Sequence, residues 1–112
     1  MEITKETVEL CMKFRDDRDW KQFHNPKDLA LSIVLEASEL LELFQWKTSE
    51  EGVAKNLGRI KEELADVMVY CLDMADVLGL DPDELIRRKM KQNAEKYPVE
   101  KAKGSAKKYN EL

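Results

Sequence analysis

Two pairs of acidic residues interrupt stretches of sequence that are otherwise patterned as buried helix. Glu36 and Glu39 lie in VLEASELLELFQW, and Glu63 and Asp66 lie in RIKEELADVMVYCLDMADVL. Because helical residues advance by about 100° each, Glu36 and Glu63 both fall within about 40° of large apolar side chains of their own segment. Glu39 and Asp66 each lie about 60° to the same side, at the edge of the apolar stripe. The two segments therefore present matching carboxylate pairs.

Four carboxylates meet if these two helices pack side by side, and such closely spaced like charges cannot all stay ionised without a cation. Ligand sets made only of oxygen favour Mg²⁺, Mn²⁺ or Ca²⁺ over zinc. A di-iron site would use Glu-x-x-His pairs, and the single histidine, His24, belongs to none. The residues alone leave another interpretation open, in which the acids are protonated or form salt bridges with lysine or arginine.

Other acids on the same segments lie further from the apolar stripe, and Glu42 is predicted to be solvated. Glu42 falls about 120° from Glu36 on the helical wheel, and Glu62 and Asp73 also point away from the centre of the apolar stripe. They are therefore not predicted to bind the metal.

The elements that must position the acids have recognisable helix ends. Asn25 and Asp81 are predicted N-caps followed by prolines at the first helical position, and Gly79 is predicted to stop a helix. The last helix should end before Tyr97-Pro98, since a residue that precedes proline disfavours helical geometry. The predicted helices run from Lys5 to Asp17, from Pro26 to about Trp46 or Lys47, from about Ser49 to Gly79 with a possible interruption at Gly52 or Gly58, and from Pro82 to about Lys96.

This pattern predicts an all-α fold, a bundle-like subunit of four to five helices. Residues 1–97 are predicted to form one domain. Residues 98–112, VEKAKGSAKKYNEL after the proline, have little apolar content and four lysines. We expect them to form a basic tail, ordered if a partner subunit receives it.

The composition argues against several function classes. Charged residues make up 38% of the chain, and the net charge of −4 is unlike the basic footprint of nucleic-acid-binding proteins. No apolar run approaches the ~20 residues that span a bilayer. The segment MEITKETVEL has no signal-peptide pattern, and Cys11 and Cys71 are predicted to be reduced core thiols, which together predict a cytoplasmic protein.

Three stretches carry a resemblance to a known family. They are FRDDRDWKQFHNPKDLALSIVLEASELLELFQWK, KEELADVMVYCLDMA and KMKQNAEKYP, and the resemblance extends from about Phe14 to Leu112. They resemble the MazG-like all-α nucleoside triphosphate pyrophosphohydrolases, and within these the dCTP pyrophosphatase branch. The family pattern, E-x-x-E followed by E-x-x-D on the next helix, falls on Glu36, Glu39, Glu63 and Asp66.

The resemblance implies a homodimer or dimer of dimers that binds Mg²⁺ and hydrolyses a (deoxy)nucleoside triphosphate, dCTP or a modified dCTP, to the monophosphate and pyrophosphate. It implies Mg²⁺ on the four acids, with Mn²⁺ as a substitute. It also assigns substrate contacts outside the acids: a nucleoside loop, two aromatic side chains and a phosphate-contacting helix face. In this sequence these are Trp20, Lys21, Gln22, Phe23 and His24; Trp46 and Tyr70; and Lys89, Asn93 and Lys96.

Some points stay open at this stage. Cys11 stands where vertebrate dCTP pyrophosphatases carry a histidine that helps to hold substrate, so dUTP or a wider range of triphosphates remain alternative substrates. Arg15 and Arg18 are further candidates for phosphate contacts. A competing hypothesis is a non-enzymatic helical dimerisation module whose inward acids form ion pairs across the interface. No nucleic-acid or membrane partner is expected.

Overall fold

The computed structural model describes residues 1–112 and contains α-helices and short 3₁₀ turns without any strand, which confirms the predicted all-α class. The five α-helices are α1 (Lys5–Asp17), α2 (Pro26–Glu42), α3 (Ser49–Val77), α4 (Pro82–Lys96) and α5 (Val99–Ala102). Two 3₁₀ turns lie at Lys21–Phe23 and Tyr109–Glu111. None of the helices combines the length and the apolar character that crossing a membrane requires.

The helices begin at the capping residues that the sequence predicts. The Asn25 side chain accepts a hydrogen bond from the backbone N–H of Asp28, and Pro26 occupies the first turn of α2. Asp81 caps α4 in the same way, accepting from the N–H of Asp83. Because these caps satisfy backbone donors that a helix leaves unpaired, they define where each helix starts.

The helix boundaries differ from the prediction at two places. Helix α2 ends at Glu42, and Trp46 lies in the following turn with a φ of 63°, a left-handed conformation that is uncommon for a bulky residue. The sequence prediction that α2 reaches Trp46 or Lys47 is therefore wrong. Helix α3 is interrupted at Asn56 (φ −122°, ψ 19°) instead of at a glycine, and Asn56 donates to the carbonyl of Leu43 at 2.8 Å.

The core of the first compact unit, Met1–Gly79, forms where α3 packs against both α2 and α1. Leu29, Leu43 and Ala75 are its buried apolar residues, with Leu29 only 1% exposed. Helix α3 thus has two packed sides, and it carries the buried acids Glu63 and Asp73. Both cysteines are free thiols as predicted, but Cys71 is exposed, so its assignment to the core is wrong.

Leu80–Leu112 form a second compact unit of the chain. Within it, the ring of Tyr97 packs edge-on against Tyr109, and the ammonium group of Lys96 lies 4.9 Å from the centre of the Tyr109 ring. The end of α4 and the C-terminal residues therefore contact each other. The division into a domain of residues 1–97 and a tail of residues 98–112 stays a prediction.

Candidate active site

Three of the four predicted acids converge where α2 faces α3. Glu36, Glu39 and Glu63 each place one carboxylate oxygen within 4.8 Å of the others. Glu36 and Glu39 are three residues apart on α2 and so share one side of the helix, while Glu63 comes from the buried side of α3. These three residues form the acid cluster.

Burial and mutual repulsion change the protonation of the acid cluster. Removal of Glu36 from water, followed by the adjoining carboxyl group of Glu63 and the charges of Glu39 and Asp66, raises the pKa of Glu36 to about 7. The pKa of Glu39 is also raised, chiefly by the adjoining carboxyl group of Glu63. In each case the protein disfavours the ionised carboxylate because no positive charge compensates it.

The acid cluster has the free oxygen atoms that a cation site requires. Oε2 of Glu36 and Oε2 of Glu63 are both buried and have no hydrogen-bond partner. The one cationic group that pairs with the cluster is Arg59, on an exposed side chain, whose Nη2 lies 3.5 Å from Oε1 of Glu63. Buried carboxylate oxygens without partners are costly, and a hard divalent cation would satisfy them. The residues present therefore fit Mg²⁺ or Mn²⁺.

Asp66 lies outside the acid cluster. It is exposed, one turn beyond Glu63 on α3, and it lines a cavity of about 260 Å³ together with Glu36. The fourth predicted carboxylate thus borders the cavity that the cluster adjoins, and its charge is among those that raise the pKa of Glu36.

Aromatic side chains and His24 line the rest of that cavity. Trp20 packs edge-on against Phe14 with the ring centres 5.7 Å apart, and both line the cavity with His24 and Tyr70. Burial, followed by the charges of Glu36 and Asp66, raises the pKa of Tyr70, so its hydroxyl stays protonated. A second cavity of about 220 Å³ shares Trp20, His24 and Tyr70 and adds Phe23.

The remaining members of the predicted nucleoside loop do not join the residues that line the cavities. The side chain of Gln22 donates to the carbonyl and the carboxylate of Asp19, at 3.0 and 2.9 Å, and Lys21 is exposed. Neither residue lines the two cavities that hold Trp20 and His24. The roles assigned to Lys21 and Gln22 stay predictions.

Trp46 does not line the cavity, and the predicted phosphate contacts belong to the second compact unit. Trp46 is 93% exposed and lines neither cavity. Lys89, Asn93 and Lys96 share α4, where Lys89 and Lys96 are exposed and Asn93 is half-buried. Their contact with a substrate stays a prediction.

Asp73 and Arg15 are both buried beside the cavity. Asp73 is 3% exposed although it points away from the centre of the apolar stripe, because α1 also packs against α3. Arg15 is 4% exposed and forms ion pairs with Asp16 at 2.9 Å and Asp76 at 2.6 Å. Both Asp73 and Arg15 line the 260 Å³ cavity. Helical periodicity could not predict the burial of Asp73, since it does not reveal which second helix packs on α3.

Comparison with known proteins assigns a family to this arrangement. The sequence of dCTP pyrophosphatase 1 from Mus musculus is 40% identical over 108 residues, which are 92% of this chain and 64% of that protein. The Homo sapiens protein of the same name is 39% identical over the same coverage. The chain thus spans less than two thirds of the length of these curated relatives.

A solved structure and a family profile agree with these relatives. The crystal structure of a pyrophosphatase from Archaeoglobus fulgidus DSM 4304 matches with a TM-score of 0.80 and 41% identity, covering 88% of this chain and 94% of that one. The MazG-like family profile matches residues 31–112, which include all four predicted acids. The chain belongs to the MazG-like family.

Proposed function

We propose that this protein is a nucleoside triphosphate pyrophosphohydrolase. It hydrolyses a (deoxy)nucleoside triphosphate, dCTP or a modified dCTP, to the monophosphate and pyrophosphate. The observation that carries the proposal is the acid cluster, whose free buried oxygens adjoin a cavity lined by Trp20 and Tyr70. Support also comes from the similar proteins, two of which are named dCTP pyrophosphatase 1 and one a pyrophosphatase.

Magnesium is the cofactor of the proposed reaction, with Mn²⁺ as a substitute. Glu36, Glu39 and Glu63 would hold it, and Asp66 is the fourth candidate ligand. When bound, a divalent cation neutralises the charge of the triphosphate and lowers the pKa of water. The carboxylate oxygens of this cluster are the hard ligands that such cations select.

The chemical step adds water across one phosphoanhydride bond. The oxygen of water forms a bond with the α-phosphorus, and the bond from that phosphorus to the bridging oxygen breaks, which releases pyrophosphate. Carboxylates near the acid cluster orient the water and accept its proton; Glu62, next to Glu63, is a further candidate for this role.

The cavity beside the acids is the proposed place of the nucleoside. Trp20 and Tyr70 offer aromatic faces, and stacking on an aromatic contributes roughly 1–3 kcal/mol per base without much preference between bases. His24 has an Nδ1 atom that is buried without a hydrogen-bond partner, so it is available to a substrate. Trp46, Lys89, Asn93 and Lys96 are proposed to complete the contacts to base and phosphates.

Self-association belongs to the same proposal, as a homodimer or a homotetramer. Helix α2 exposes Leu31, Val34, Leu35 and Leu41, each between 54% and 70% accessible. A helix that is apolar all round is normally buried on both sides. A second copy of the chain would cover this surface, and it would also bury the exposed Trp46.

We propose a cytoplasmic location and no nucleic-acid or membrane partner.

The competing function is a helical interaction module without enzymatic activity. The observation in its favour is the contact of Arg59 with Glu63, one turn apart on α3, since it shows that a guanidinium can reach an acid of the cluster. Metal titration separates the two. A cation site is stabilised by its cation, by about 2.7 kcal/mol at a hundredfold excess over Kd, whereas acids held in ion pairs give no Mg²⁺-dependent shift of Tm.

A substrate panel tests the proposed activity directly. The purified chain is incubated with Mg²⁺ and canonical or modified nucleoside triphosphates, and release of pyrophosphate is measured. We expect turnover of dCTP or a modified dCTP, with monophosphate and pyrophosphate in equal amounts. Absence of turnover across the whole panel, with no Mg²⁺-dependent rise in Tm, would reject the enzyme and favour the interaction module.

A further inference from the structure

Asp73 is the most deeply buried acid in the chain and has no partner that explains its burial. Its side chain lines the 260 Å³ cavity, the residue is 3% exposed, and its Oδ1 atom has no hydrogen-bond partner. Buried polar atoms are nearly always satisfied, so an unsatisfied one in a cavity wall indicates a missing ligand. Nothing in the proposed chemistry at the acid cluster uses Asp73.

The neighbouring cation does not neutralise Asp73. Arg15 is the buried guanidinium of this cavity, and it donates its Nε–H to Asp16 and an Nη1–H to Asp76. No ion pair within 4.0 Å joins it to Asp73. Burial raises the pKa of Asp73, and the nearby His24 and Arg15 partly oppose this rise. The residue is therefore not the structural partner of Arg15, a role that Asp76 and Asp16 already fill.

The position of Asp73 along α3 separates it from the acids. Asp66, Tyr70 and Asp73 are spaced by four and three residues, so they follow one side of the helix. At a rise of 1.5 Å per residue, Asp73 lies about 10 Å beyond Asp66 and about 15 Å beyond Glu63 along the axis. If the phosphates occupy the acid cluster, as the proposed function requires, the opposite end of the substrate, the nucleobase, extends toward Asp73.

We propose that Asp73 determines base specificity by accepting a hydrogen bond from the exocyclic amino group of a cytosine-type base. An ionised carboxylate offers acceptors only. Cytosine presents its N4 amino group as a donor where uracil and thymine present an O4 acceptor. A uracil-type base would place O4 against Oδ1 of Asp73 and leave two buried acceptors facing each other, which discriminates against it.

The test compares dCTP with dUTP, which differ at this position only by an amino group in place of an oxygen. We measure kcat/KM for both in the wild type, Asp73→Leu and Asp73→Asn. Asp73→Leu should lower kcat/KM for dCTP by roughly 10- to 100-fold and change kcat/KM for dUTP little, since it removes one charge-assisted hydrogen bond. Asp73→Asn should retain kcat/KM for dCTP and increase kcat/KM for dUTP, because an amide can present either an acceptor or a donor.

Asp76→Asn is the matched control on the same helix. It weakens the ion pair with Arg15, so it should lower Tm while leaving the ratio of the two kcat/KM values unchanged. The Tm of Asp73→Leu should equal or exceed that of the wild type, because the substitution removes an unpartnered buried oxygen. If Asp73→Leu lowers kcat/KM for dCTP and dUTP by the same factor, Asp73 only supports the fold and the inference is wrong.

Product binding keeps this inference separable from the proposed activity. Calorimetric titration with dCMP and dUMP needs no turnover. A preference for dCMP that disappears in Asp73→Leu supports the role of Asp73 even if the wild type cleaves no triphosphate, in which case only the proposed activity fails. Equal affinity of the wild type for dCMP and dUMP overturns the assignment of Asp73.

Discussion

Glu36 of α2 and Glu63 of α3 bring carboxylate oxygens within 4.8 Å of each other, and each keeps a buried Oε2 atom without a hydrogen-bond partner. Two acids of adjacent helices are thus held together by packing that their charges oppose. Packing of the apolar side chains around them supplies the compensating free energy, since Leu29 on α2 and Leu43 just after its end are almost fully buried. Such an arrangement is unfavourable in the free protein and becomes favourable when a cation binds.

Neutralising either central acid should abolish activity while preserving the fold. We expect Glu36→Gln and Glu63→Gln to lower kcat by roughly 100-fold or more, since metal and transition-state electrostatics supply several kcal/mol. The same variants should lose most of the Mg²⁺-dependent rise in Tm. Circular dichroism checks the helical content, and pyrophosphate release checks the rate.

Glu42→Gln is the matched control for that experiment. Glu42 lies at the end of the same helix, is exposed and is not part of the acid cluster. Its substitution should change kcat by less than a few-fold. Full activity in Glu36→Gln, or an equal loss in Glu42→Gln, would contradict the assignment of the metal to the acid cluster.

The stability of the metal-free protein should fall as pH rises through the range in which Glu36 titrates. The pKa of Glu36 is about 7 in the folded chain, against an ordinary value of 4.5. Between these values the folded state holds a proton that the unfolded state has released, so the free energy of unfolding decreases with increasing pH. Thermal melts in EDTA from pH 4.5 to pH 8 should show this decrease.

Glu36→Gln isolates the contribution of that carboxyl group. The amide cannot ionise, so the variant should lose part of the decrease and be more stable than the wild type at pH 8 without metal. Identical pH dependence in the two proteins would show that Glu36 does not titrate in this range.

The close approach of α3 to the turn after α2 makes Gly52 sensitive to substitution. A Cβ atom at Gly52 would lie 2.8 Å from Cε1 of Phe44 and still closer to Cδ1 of the same ring. Gly52→Ala should therefore destabilise the protein by about 1–3 kcal/mol through overpacking. Urea denaturation measures the change.

Substitution of Gly58, on the same helix, should have the opposite effect on stability. No atom lies within 4 Å of a Cβ added there. Gly58→Ala should stabilise α3 by about 0.5–1 kcal/mol, because alanine loses less backbone entropy than glycine in a helix. If both substitutions destabilise equally, contact with Phe44 is not the cause at Gly52.

A charge on the uncovered side of α2 should prevent self-association. Leu31→Lys and Val34→Lys place an ammonium group on an apolar surface that a second subunit would bury, which is unfavourable without a partner. Sedimentation equilibrium should show an oligomer for the wild type and a monomer for these variants. Gln92→Lys, which adds the same charge at an exposed position of α4, should leave the oligomer intact. A monomeric wild type would contradict the prediction.

Much of the helical architecture and part of the candidate site could be predicted from the sequence alone. The start of α2 after Asn25 and the end of α1 at Asp17 depend on caps and periodicity, which act within a few residues. The same short-range periodicity placed Glu36 and Glu63 on the buried sides of their helices. Local signals of this kind can be recognised without any knowledge of tertiary contacts.

Tertiary structure decided the surroundings of the cavity. Arg15 is paired with Asp76, 61 residues further along the chain, and Asp73 is buried because α1 packs against α3 away from the centre of the apolar stripe. Trp46 lies outside helix α2, because α2 ends in a turn in which Phe44 packs on Gly52. Burial of a helical side chain depends on which second helix covers it, and the periodicity of one segment does not contain that information.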